Sequence, residues 1–183
     1  MTDTRTNKHR DIIATGVLLA AFLRASTQKR GIPRLEDFLF GLVSGAELIA
    51  RTYEGSANLV DTFMSEQVHL QGILSSRAFQ TVRRDIGEHR IGETIGDTGT
   101  QRNIVAASVI TIVPDSANEF GVDPEEVLQI LVIAIMATAT IHFSRFSIDA
   151  AQEMTLDLLR EEKKRQQSNS GARHMTNKPK HAT

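Results

Sequence analysis

The chain has 183 residues, 40% of them hydrophobic, and a formal net charge of −1, which suits one domain with a single buried core. It contains no cysteine, so disulfides, thiolate metal sites and cysteine nucleophiles are excluded, and a reducing compartment is permitted. Tryptophan is also absent and Tyr53 is the single tyrosine, which removes most of the aromatic platforms on which single-stranded nucleic acid stacks, although eight phenylalanines remain.

Residues 1–10 read as a flexible N-terminus. Arg5, Lys8 and Arg10 precede an apolar run, Ile12 to Leu23, that superficially resembles a secretory signal. Arg24 interrupts the run, and Ala25-Ser26-Thr27 leads straight into Gln28-Lys29-Arg30, so the better reading is a buried first helix over Asp11 to Gln28. Gly31 and Pro33 then stop it, one by taking a left-handed turn and the other by disfavouring helical geometry at Ile32.

Arg34 to Tyr53 carries Leu35, Phe38, Leu39, Leu42, Ala46, Ile49 and Tyr53 at helical spacing, with Glu36, Asp37 and Glu47 on other sides. Gly41 and Gly45 make a small-xxx-small face that lets a second helix come close. Glu54-Gly55-Ser56 ends this helix, and Ser56 can cap the next. A third helical region follows from Ala57 to Ile86, divided near Gly72. Three Ile-Gly-acid units then run from Ile86 to Asp97 and into Thr98-Gly99-Thr100. Glycine at this density predicts a loop over 87–100 pinned by its isoleucines. Ile104 to Val113 is β-branched and apolar. It reads as a short buried helix starting near Gln101 and ended by Pro114, the alternative being a strand that pairs with another chain.

The best-specified boundary is Val122-Asp123-Pro124-Glu125-Glu126-Val127. Asp123 is an N-cap, Pro124 sits where a missing N–H costs nothing, Glu126 completes a capping box, and Val122 and Val127 form a hydrophobic staple. One long helix is predicted from there to Gln167. Its centre, Val127 to Phe143, is the post on which the other helices pack, and Ser144 to Gln167 is an arm projecting toward a partner through Phe146, Ala150, Met154 and Leu158. From Lys163 onward come six bases and no acid: Lys163, Lys164, Arg165, Arg173, Lys178 and Lys180. The body to Glu162 holds the other 15 bases against all 22 acids, a charge of −7. Residues 168–183 read as a disordered basic tail able to hold an anionic partner non-specifically.

Three constellations could carry chemistry. Glu66-x-x-His69 places a carboxylate and an imidazole on one helix face as candidate metal ligands, with Glu88, His89, Glu93, Asp97 and His142 as further donors only if the fold gathers them. Thr98-Gly99-Thr100-Gln101-Arg102 opens a helix where backbone N–H groups and Arg102 could meet an anion. His142, Arg145, Asp149 and Glu153 form a polar stripe along the last helix.

The expected architecture is an all-α bundle of five or six helices around a long C-terminal helix, filling residues 11–167. The expected function is non-enzymatic: a cytoplasmic interaction or assembly protein that self-associates through the extended last helix, with no cofactor. The alternatives are a membrane-associated protein with 127–143 embedded, the segment being just short of a full span, and a metal-dependent helical enzyme.

Overall fold

The computed structural model describes residues 34–53, 58–67, 80, 84 and 98–175. The chain is all-α: the described residues form five helices and no strands. These are α1 (Leu35–Ala50), α2 (Leu59–Glu66), α3 (Thr98–Phe120), α4 (Pro124–His142) and α5 (Ile148–Met175). The predicted first helix, the Ile-Gly-acid units and most of the region between Ala57 and Ile86 lie outside the described residues.

The apolar spacing of α1 translates directly into burial. Leu35, Phe38, Leu39, Leu42, Ala46 and Ile49 all face the core. On the adjoining flank Gly41 and Gly45 meet α3. A Cβ added to Gly41 would stand 2.5 Å from the Cβ of Val105 and 2.7 Å from the Arg102 carbonyl; at Gly45 it would stand 3.0 Å from the Ala106 carbonyl and the Val109 Cβ. Four residues along α1 match four along α3, so the two helices run parallel, in backbone-close contact.

Helix α3 departs from expectation in two ways. It begins at Thr98, taking the last three residues of the predicted loop, and it continues through Pro114 to Phe120. Proline costs the carbonyl four residues back its hydrogen bond and crowds the preceding turn, but helical geometry can resume beyond it. Here Val105, Val109 and Val113 are buried before the proline, holding α3 on the core. The stop is instead Gly121, at φ +64°, with the Val122 N–H donating to the Ala117 carbonyl at 2.9 Å. This is a Schellman turn, a conformation that glycine adopts without steric cost. The strand alternative for Ile104 to Val113 is excluded by the same helix.

The entry to α4 follows the sequence signals. The Asp123 carboxylate accepts the Glu126 N–H at 2.9 Å, and Pro124 occupies the first turn. Thirteen residues of α4 are buried, including Leu128, Leu131 and Ile135. Its threonines are compatible with burial because their hydroxyls donate to backbone carbonyls one turn back, Thr138 to Ala134 at 2.9 Å and Thr140 to Met136 at 2.8 Å. By length and composition α4 could cross a membrane, with mean hydropathy 1.5 over its best window, but 72% of that window is buried against the chain itself. It packs on α1, α2 and α5.

The continuous helix predicted from Val122 to Gln167 is broken. It ends at His142, and five residues later Ser147 starts α5: its carbonyl accepts the Ala151 N–H at 2.9 Å and its hydroxyl the Ala150 N–H at 3.2 Å. Serine competes for these amides in a way that a helix interior does not allow, and no glycine or proline announces the break. The consequence is large. The predicted arm folds back, burying Ala151, Thr155, Leu156, Leu159 and Gln166 against the rest of the chain. Helix α5 also continues past Gln167, where the basic tail was expected to start, to Met175.

Candidate functional site

The polar residues of α1 are organised by charges that its own periodicity does not reveal. Asp37 is fully buried yet accepts hydrogen bonds from Arg34 Nε at 2.8 Å and from Arg102 Nε at 3.0 Å. Arg102 comes from α3. It also lies 3.5 Å from Glu36 and stacks over the Phe40 ring, 4.1 Å from its centroid. The arginine that the sequence offered to an anion is thus engaged with two carboxylates and an aromatic face.

A cleft of about 450 Å³ opens beside it, where α1, the first turns of α3 and α5 meet. Phe40, Val43 and Leu158 supply apolar walls, and Ser44, Asn103, Glu162 and Arg165 are among the polar ones. Two of its charges pair with each other, while Glu161 is exposed at its edge. Arg165 donates to both oxygens of Glu162, at 2.7 and 2.6 Å, and Gln166 donates to Glu162 at 2.6 Å and to the Ser44 carbonyl at 3.2 Å. Burial alone would raise the Glu162 carboxyl; hydrogen bonds from Arg165, Gln166 and Ser44 outweigh it and hold it below the ordinary range. One turn along the same seam Glu47 behaves in the opposite way. Burial pushes its carboxyl up, against Arg51 at 3.6 Å and Lys163 nearby. Arg51 also donates to the Lys163 carbonyl at 3.3 Å, tying α1 to the α5 backbone.

Most of the metal-ligand candidates from sequence, Asp97 among them, lie outside the described residues. Glu66 is buried on α2 and His69 lies outside the described residues, as do Glu88, His89 and Glu93. Among the described residues no three His, Asp or Glu side chains gather as metal ligands. The stripe His142, Arg145, Asp149 and Glu153 does not form, because the break between α4 and α5 divides it. His142 is half-buried, its ring edge-on to Phe143 at 4.7 Å, while Arg145, Asp149 and Glu153 are exposed. Arg145 and Asp149 make no ion pair with each other. Of the tail bases, Lys164 and Arg165 are exposed and Lys163 is half-buried; the side chains of Arg173, Lys178 and Lys180 lie outside the description.

The proposed partner stripe is divided as well. Ala150, Met154 and Leu158 are half-buried, and Leu158 packs on the core. Phe146 is 55% exposed, and two residues on Ile148 is 43% exposed. Phe146 has Phe143 as an aromatic neighbour, with centroids 6.4 Å apart. The corner between α4 and α5 therefore presents two large apolar side chains to solvent, flanked by one exposed base and one exposed acid. Ile148 was not among the residues singled out from sequence, because its exposure follows from a break that periodicity does not register.

No protein-family model matches the chain, and no curated protein or solved structure shows significant similarity to it.

Proposed function

We propose that the protein is a non-enzymatic, cytoplasmic helical interaction protein, a bundle of helices that self-associates through the corner between α4 and α5. The observation that carries this reading is the exposure of Phe146 and Ile148 two residues apart at one corner, where the other exposed large apolar side chains among the described residues, Leu48, Met64 and Ile110, each stand singly on a helix. Exposed aromatic and aliphatic anchors at one place are the usual centre of a protein contact. Relative to the expected arm, the contact surface shrinks from a stripe along the last helix to its first turn.

Because the chain has no cysteine, a single thiol can be placed at will. Ser144→Cys, exposed at this corner, carries a nitroxide without competing sites. Concentrated labelled protein is expected to show a short label-to-label distance that vanishes when it is mixed with an excess of unlabelled protein. A label at this corner that shows no intermolecular coupling at any concentration contradicts the proposal.

A further inference from the structure

We infer that the second half of α5, from Glu162 onward, is a strap that opens and closes against α1 as one unit while the rest of the chain stays folded. The inward stripe of α5 changes character partway along its length. Ala151, Thr155, Leu156 and Leu159 are buried on it; three and four residues further on, the same face presents Glu162, Lys163 and Gln166. From Arg160 to Gly171 the sequence has no apolar side chain, and the hydrophobic core takes nothing from α5 beyond Leu159. Hydrogen bonds tie this half to α1. Gln166 donates to the Ser44 carbonyl, Arg165 to the Ser44 hydroxyl at 3.3 Å, and Arg51 to the Lys163 carbonyl. Glu162 organises two of these donors, since it accepts from both Arg165 and Gln166. Packing is open on both flanks. The cleft of about 450 Å³ lies along Glu161, Glu162 and Arg165, and a second, of about 340 Å³, lies among Lys163, Gln167, Arg51 and Asn58 at the start of α2. A segment with few buried apolar contacts and exposed hydrogen bonds opens at a lower free energy than the core beneath it. Opening takes Glu162 and Arg165 out of the larger cleft and leaves Phe40, Val43 and Ser44 facing solvent, so the strap sets access to that cleft.

Hydrogen exchange of the whole chain tests this amide by amide. Amides of 163–169 are expected to exchange together, at least about a hundredfold faster than those of α4, with a step between Leu159 and Glu162. Two substitutions then separate the strap from the core. Glu162→Gln removes the carboxylate that gathers Arg165 and Gln166, and should speed exchange across 163–169 about fivefold. Ile135→Val trims the core, and should speed exchange in α4 about fivefold while leaving 163–169 unchanged, because Ile135 stays buried when the strap opens. If Ile135→Val accelerates 163–169 as much as α4, then α5 opens only with the whole chain and the strap does not exist. Exchange that rises steadily toward Met175 without a step is the fraying of a helix end, and amides unmoved by Glu162→Gln are not held by the bonds around that carboxylate; either result overturns the inference.

Discussion

The seam between α1 and α3 and the corner between α4 and α5 sit at opposite ends of one scale. At the seam the backbones are so close that Gly41 has no room for a methyl group, and the surface of each helix is completed by the other. At the corner, Phe146 is more than half exposed, with Phe143 edge-on beside it. Surfaces of the first kind govern folding; the second kind is where the proposed association would act. Substitutions should therefore divide into those that change stability alone and those that change association alone.

The largest effect is expected at the seam. A Cβ at Gly41 would overlap Val105, a clash of about 3 kcal/mol, offset by about 1 kcal/mol of better helix propensity. Gly41→Ala should lose about 2 kcal/mol in denaturant unfolding. At Gly45 the same methyl meets atoms at 3.0 Å, and Gly45→Ala should be close to neutral. Equal losses at the two glycines would mean that the helices are not held at this separation. Of comparable size is Asp37→Asn, which leaves Arg34 and Arg102 without their buried counter-charge. Both arginines are partly exposed, at 52% and 34% of the side chain, so the loss should be about 2 kcal/mol rather than the larger value for a fully buried pair.

The α1–α5 seam is intermediate, and its two carboxylates should respond to pH in opposite directions. Glu162 is held low in the folded chain, so its contribution is present above the unfolded-state value and is lost as pH falls through the lowered folded value. Glu162→Gln should cost about 1 kcal/mol at neutral pH and nothing in acid. Glu47 is held high, so its contribution is present below the ordinary value of 4.5 and is lost as pH rises through the raised one. Glu47→Gln should leave stability unchanged or slightly higher at neutral pH, and the two substitutions together should flatten the pH profile of unfolding. Parallel pH responses would contradict the environments described for them. The smallest effect on stability is expected at the corner, where Phe146→Ser should change unfolding by less than about 0.5 kcal/mol.

Local chemistry was legible where it is carried by neighbours in the chain. Asp123 caps α4, the apolar positions of α1 are buried, and Gly41 and Gly45 mark the close approach, all from residues within one or two turns. What could not be read depends on partners distant in sequence. Asp37 and Glu47 look like surface acids until Arg102 and the α5 helix arrive, 65 and more residues later. Pro114 and Ser147 show the limits of local rules in both directions. A proline that should end a helix is carried through by valines anchored on the core, while a serine with no accompanying glycine or proline starts a new one. The second of these changed the candidate site most, because it returned the expected arm to the core and left Phe146 and Ile148 exposed at its base.

The most direct test of the corner is the mass of the natural chain in solution across a wide concentration range, measured beside Phe146→Asp. The natural chain is expected to rise from single-chain mass toward twice that value, while Phe146→Asp stays at single-chain mass with unchanged unfolding. A natural chain that remains at single-chain mass, or a Phe146→Asp variant that associates as well as the natural chain does, would contradict it.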